Sequence, residues 1–270
     1  MTNHHTTAER RAGYQHRARL AVLLGAVASG ALAVGALSGT GTASATCASI
    51  SGINAGSGCT STATSFAIGL GNNTKASASG LFGGAIAVGN TAIAQSKGNL
   101  NIAMAVGNGA AAATNGNLNT AIAFGAKTTA VAGVHPGDAA NLAIDFTPAG
   151  GQPSQAGAGS PVAGQPGIGN IAVNLFGPAA SVTSVGAFNS AFNIGGNGST
   201  VAAVGVATNA FNIGGTKNVV TAGDPTNPAL GGPFAVAGAI GVSNHNGLPG
   251  NPPAITQKNA GVTIKTPLDP

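Results

Sequence analysis

Between residues 66 and 132, large apolar and small positions alternate in short runs, each closed by glycine. Ala85-Ile86-Ala87-Val88-Gly89, Ala103-Met104-Ala105-Val106-Gly107 and Ala121-Ile122-Ala123-Phe124-Gly125 put the large side chains on one side and Ala on the other. A period of two predicts β-strands, not helices. The runs recur. Residues 90–107, NTAIAQSKGNLNIAMAVG, align without a gap on residues 108–125, NGAAAATNGNLNTAIAFG, and residues 72–89, NNTKASASGLFGGAIAVG, share their phase. Gly71, Gly89, Gly107 and Gly125 are therefore 18 residues apart. A fixed period near 20 marks a stacked array.

Each unit predicts one coil of two strands. The closing glycine turns one corner, because a sharp corner needs positive φ. The Gly-Asn-Leu-Asn segments at 98–101 and 116–119 turn the other, and residues 91–95 supply a second strand. Coils would stack about 4.8 Å apart. The expectation is that large side chains fill a narrow interior. Ala then forms a flat outer face, suited to packing against another sheet or a second copy of the chain.

A second array follows with a period of 19: residues 173–177 (VNLFG), 192–196 (FNIGG) and 211–215 (FNIGG). Gly195 and Gly214 are its expected corner glycines, and the added residue predicts a bulge or a longer corner. Between the arrays, residues 133–169 carry Pro136, Pro148, Pro153, Pro161 and Pro166, which predicts a linker or large loop. The fold class expected is all-β, a β-solenoid or β-roll of 18–19 residues per coil. Its parts are a leader (1–45), a cap (46–64), the first array (65–132), the linker (133–169), the second array (170–220) and a Pro-rich irregular tail (221–270). That tail holds one short strand near 234–242.

The leader changes the functional picture. Residues 1–19 carry Arg10, Arg11, Arg17 and Arg19, residues 20–37 are apolar and uncharged, and Ala43-Ser44-Ala45 closes the segment. That order is a secretory signal with cleavage after Ala45, Ala43 and Ala45 being the small residues read at the site. A retained membrane anchor is the other reading. Cys47 and Cys59 are the only cysteines, and in an exported chain an even pair predicts a disulfide.

Charge excludes a nucleic-acid partner. The formal charge is +5, but four of the ten basic residues lie in the leader; beyond it six Lys against four Asp leave +2, and the Lys are scattered. A nucleic-acid surface clusters its cations on one face. The catalytic inventory is equally thin. Beyond the leader there are two His, His135 and His245, and no Glu. Asp138 and Asp145 lie in or beside the Pro-rich span, and both His sit in turns, so solvated loops are expected for all four. No Ser stands in a Gly-x-Ser-x-Gly elbow. The stretches Gly157-Ala158-Gly159-Ser160 and Gly195-Gly196-Asn197-Gly198-Ser199 lack the Lys and setting of a phosphate loop, and calcium lacks carboxylates. No catalytic residue, metal or cofactor is expected.

Two resemblances follow. The Ala-Ile-Ala-Val-Gly units of residues 65–132 resemble the head repeats of trimeric autotransporter adhesins, which implies a β-roll of SxAxG-type strands. The Phe-Asn-Ile-Gly-Gly segments of residues 170–216 are similar to the Asn/Gly tandem repeats of mycobacterial PPE-type surface proteins. Both imply a cell surface and a surface or host partner that the residues do not identify. The function expected is an exported, non-enzymatic structural or adhesive repeat protein of the envelope or extracellular space. The alternative is an envelope β-protein that inserts in lipid or forms a pore.

Overall fold

A computed structural model describes residues 46–148, 152–160, 165–223 and 235–241. The leader with Ala43 and Ala45, His245 and most of the Pro-rich tail lie outside the described residues.

The described chain is all-β, a β-solenoid of about eight turns. It opens with β1 (Cys47–Ile50), β2 (Ile53–Ala55) and β3 (Cys59–Ser61). β1 and β2 form an antiparallel hairpin, and β1 also runs antiparallel to β4 (Phe66–Leu70). From there each coil gives one strand to each of two parallel sheets. One sheet continues from β4 through β6 (Gly84–Val88), β8 (Ile102–Val106), β10 (Thr120–Gly125), β12 (Leu142–Thr147), β14 (Ile171–Leu175), β16 (Ser190–Ile194), β18 (Asn209–Ile213) and β20 (Val236–Ile240). The other continues from β3 through β5 (Lys75–Ser79), β7 (Ile93–Asn99), β9 (Ala111–Asn117), β11 (Thr128–Ala132), β13 (Ser154–Gly159), β15 (Ser181–Ala187), β17 (Thr200–Val206) and β19 (Val219–Ala222). We call these the first and second sheets. Cys47 and Cys59 are bonded, S–S 2.04 Å, and tie the opening hairpin to the start of the second sheet.

The interior is the reverse of the one expected. Ala67, Ala85, Ala103, Ala121, Ala143, Ala172, Ala191 and Ala210 are fully buried between the sheets, facing Ala76, Ala94, Ala112 and Ala130 of the second sheet. The large residues of the same strands point outward. Two facing walls of Ala let the sheets approach closely, which leaves no room for long or aromatic side chains. Above residue 180 the second sheet widens its core residue to Val182, Val201 and Val220. With Ala inside, the first sheet presents no Ala-rich outer face.

The two arrays form one uninterrupted stack. Residues 133–169 are not a linker: they contain β12 and β13, paired in register with their neighbours on both sides. Pro136, Pro148, Pro153 and Pro166 lie outside these strands, at the corners of this coil. The tail contributes residues 221–222 to β19, and its expected strand is β20.

Candidate interaction surface

The glycine corner is enforced by stacking. Gly71, Gly89, Gly107 and Gly125 have φ between +125° and +134°, and a Cβ on Gly71 would lie 2.1 Å from the Gly89 carbonyl oxygen. Gly195 and Gly214 differ, with φ near +70° and open space around them. The neighbouring Gly177 and Gly196 are the crowded ones: a Cβ on Gly196 would lie 2.0 Å from Asn212 Nδ2.

That crowding explains the period of 19. In the second array Asn replaces Ala at one interior position of the first sheet, giving a column Asp145–Asn174–Asn193–Asn212. Each amide donates to the side-chain oxygen of the coil before: Asn174 to Asp145 (2.9 Å), Asn193 to Asn174 (2.8 Å), Asn212 to Asn193 (2.7 Å). The amides of Asn174 and Asn193 also donate to the carbonyls of Gly177 and Gly196. The added corner residue supplies that acceptor and the space. At the top, Asn218 Nδ2 donates to Asn212 Oδ1. A second buried column, Asn101–Asn119–Asn141–Asn170–Asn189, runs along the opposite corner, each backbone N–H donating to the previous side-chain oxygen. The Gly-Asn-Leu-Asn corner thus has a reason: its last Asn is the interior ladder residue.

Asp138 and Asp145 are fully buried, not solvated. Asp138 accepts backbone N–H bonds from Val134, His135 and Gly167, closing the corner insertions. Asp145 starts the Asn column, where the residue beneath is Ala123 and offers no acceptor. A carboxylate, which only accepts, fits there. It receives Ser154 Oγ, Thr147 Oγ1, Asn174 Nδ2 and the Thr129 N–H. Burial pushes its carboxyl above the ordinary carboxylate value, and those hydrogen bonds oppose the shift. With the folded pKa above the unfolded one, the folded state holds the proton more tightly. This contribution is fully present below the unfolded pKa and is lost as pH rises through the folded one. In urea titrations across the weakly acidic range, the wild-type midpoint is expected to fall with rising pH. Asp145→Asn is expected to flatten that slope; an unchanged slope would refute the assignment.

His135 is half-buried, and its Nε2, like Ser184 Oγ and Thr114 Oγ1, has no hydrogen-bond partner. Among the described residues, no three of His, Cys, Asp and Glu converge as metal ligands, and no helix is long and apolar enough to cross a membrane.

What remains is the outer surface, whose two sides differ. The second sheet turns Lys75, Ser77, Gln95, Lys97, Asn115, Thr129, Gln155, Ser181 and Thr183 outward, interspersed with Ile93, Val131, Val206 and Val219. The first sheet turns out rows of apolar residues in register. One runs Ile68, Ile86, Met104, Ile122, Ile144, Val173, Phe192, Phe211. The next runs Leu70, Val88, Val106, Phe124, Phe146, Leu175, Ile194, Ile213, Ile240. Within it Phe124 and Phe146 stack with ring centroids 4.8 Å apart. No outward residue of these strands is charged. Leu100, Leu118 and Phe188 extend the apolar surface around the Asn corner, each more than half exposed and each at φ near +57°. That conformation favours Gly or Asn over bulky side chains. The sequence reading missed this face because it assigned these side chains to the interior.

No protein-family model, characterised protein or solved structure matches the chain.

Proposed function

We propose that the chain is an exported, non-enzymatic structural or adhesive rod of the cell envelope or extracellular space. The observation that carries this is the division of labour among its polar groups. The buried carboxylates and amides are consumed in holding one coil on the next, and the polar groups left over form a repetitive outer lattice on the second sheet. A repetitive face of Ser, Thr, Asn, Gln and Lys suits many weak polar contacts to a surface or host partner. The leader supports export, and an oxidising destination fits the Cys47–Cys59 bond.

The apolar face of the first sheet favours one other reading, a β-protein that lies in lipid. Detergent-free solubility separates the two: an exported chain that stays in solution only with detergent is the outcome this second reading expects. The main reading is tested by fractionating cells into medium, envelope and cytosol, with mass spectrometry of the chain's start. A form beginning at Thr46 in medium or envelope is expected. A cytosolic form beginning at Met1 would overturn it.

A further inference from the structure

We infer that the apolar outer face of the first sheet is covered by the same face of a second copy of this chain. The face is a flat patch nine strands long, β4 to β20. With strands about 4.8 Å apart and a rise of about 3.3 Å per residue, the footprint of its two apolar rows is roughly 570 Å². The largest apolar patch on an ordinary monomer is about 300–600 Å², and one side of a stable protein interface is about 800 Å². The face therefore reaches the upper end of what a monomer leaves in water and approaches the size that one side of a stable dimer buries.

Three observations choose a second copy over other occupants. First, the outward residues carry no charge, so the face meets itself without like-charge repulsion or a buried unpaired ion. Second, the outward rows repeat at the coil rise, and another stack with that same rise can set its ridges against these grooves. Third, the residues that settle a protein on lipid are sparse at its rim. There is no Trp, and the single Tyr is in the leader. Of the four Lys among the described residues, Lys75 and Lys97 point from the opposite sheet, and Lys127 and Lys217 stand singly at corners three coils or more apart. Interfacial sheets and helices place aromatic and basic residues at the lipid boundary.

The corner ridge adds to this. Leu100, Leu118 and Phe188 hold bulky apolar groups, exposed, in a backbone conformation that a Gly would adopt at lower cost. Contact with a partner offsets that cost, because it returns the burial that solvent exposure withholds.

This inference deepens the structural reading above, and the two are separated by experiment: fractionation reports export, sedimentation reports this face. Analytical ultracentrifugation of the full exported chain, without detergent, is expected to show dimers or larger closed assemblies at micromolar concentration. The double substitution Ile86→Glu with Ile122→Glu is expected to raise the dissociation constant at least about 100-fold, since two desolvated carboxylates would meet two more. Ile86→Thr with Ile122→Thr keeps β-branched side chains and is expected to weaken association less, with circular dichroism unchanged. It serves as the readout if the Glu variant fails to fold. Gln95→Glu with Ser181→Glu, on the polar sheet, is expected to leave association intact. A chain that stays monomeric to about 100 μM, well above micromolar interfaces, would overturn the inference. Association indifferent to the Ile86 and Ile122 substitutions would do so too, as would partition of monomers onto neutral or anionic vesicles.

Discussion

Gly107→Ala is expected to destabilise the solenoid by at least ~4 kcal/mol, while Gly195→Ala costs only about 1–2 kcal/mol. Both residues close a strand, and both have positive φ. They differ in what stands beside them. At Gly107, φ is +134°, and a Cβ would sit 2.1 Å from the Gly125 carbonyl oxygen and 2.6 Å from its carbon. The obstacle is backbone, and that backbone is in turn fixed by the next coil, where a Cβ on Gly125 would meet the Thr147 carbonyl at 2.0 Å. Relief in one coil transmits a misfit to its neighbour. At Gly195, φ is +69° and no atom lies within 4 Å of the added Cβ, so the cost is the left-handed conformation alone. Urea denaturation followed by circular dichroism measures both. In a stack whose units hold only their neighbours, the Gly107 variant is also expected to unfold in two steps, as the coils on either side of the break lose their coupling. Equal midpoints for the two variants would show that the column of glycines is not a steric requirement.

The stacked-coil architecture was legible in the alternation and the 18-residue period. The side of the strand that faces inward was misread, yet a clue lay in the second sheet. In Lys75-Ala76-Ser77-Ala78-Ser79 the alternate positions are polar, so Ala76 and Ala78 must be the interior pair. A coil has one interior, shared by both sheets, and its width must suit both walls. Ala on one wall calls for small residues on the other. The strands of the first sheet could not show this alone, because Ala-Ile-Ala-Val is apolar on both faces. Residues 133–169 were misread for a different reason: corner insertions bring Pro into a coil without touching its strands, and Leu142-Ala143-Ile144-Asp145-Phe146 keeps the alternation inside the span. The apolar interaction face followed from the same inversion and was invisible until the interior was known. The burial of Asp145 had a sequence signal, its place in phase with Asn174, Asn193 and Asn212, but reading it required aligning across a coil of unusual length.

That column carries the second large effect. Asn193→Ala is expected to cost about 3 kcal/mol, more than an exposed polar truncation by far. Asn193 stands in the middle of the ladder and makes three bonds: its amide donates to Asn174 Oδ1 and to the Gly196 carbonyl, and its own oxygen accepts from Asn212 Nδ2. Truncation leaves those partners buried, with an amide donor and two acceptors short of a bond, and water has no path to them through the packed corner. The lower coils place Ala at the same register without penalty, but there the corner is one residue shorter and no amide stands above or below. The cost thus comes from the partners left behind, not from the loss of a polar residue as such. Asn193→Asp separates this from a cavity effect, because it keeps the volume. Its carboxylate would face Asn174 Oδ1, which can only accept, so at neutral pH it is expected to destabilise at least as much as Ala. Protonation restores a donor, and acid is then expected to recover stability in the Asp variant but not in the Ala variant. If both variants lose the same stability at every pH, the ladder is packing and not a hydrogen-bonded column.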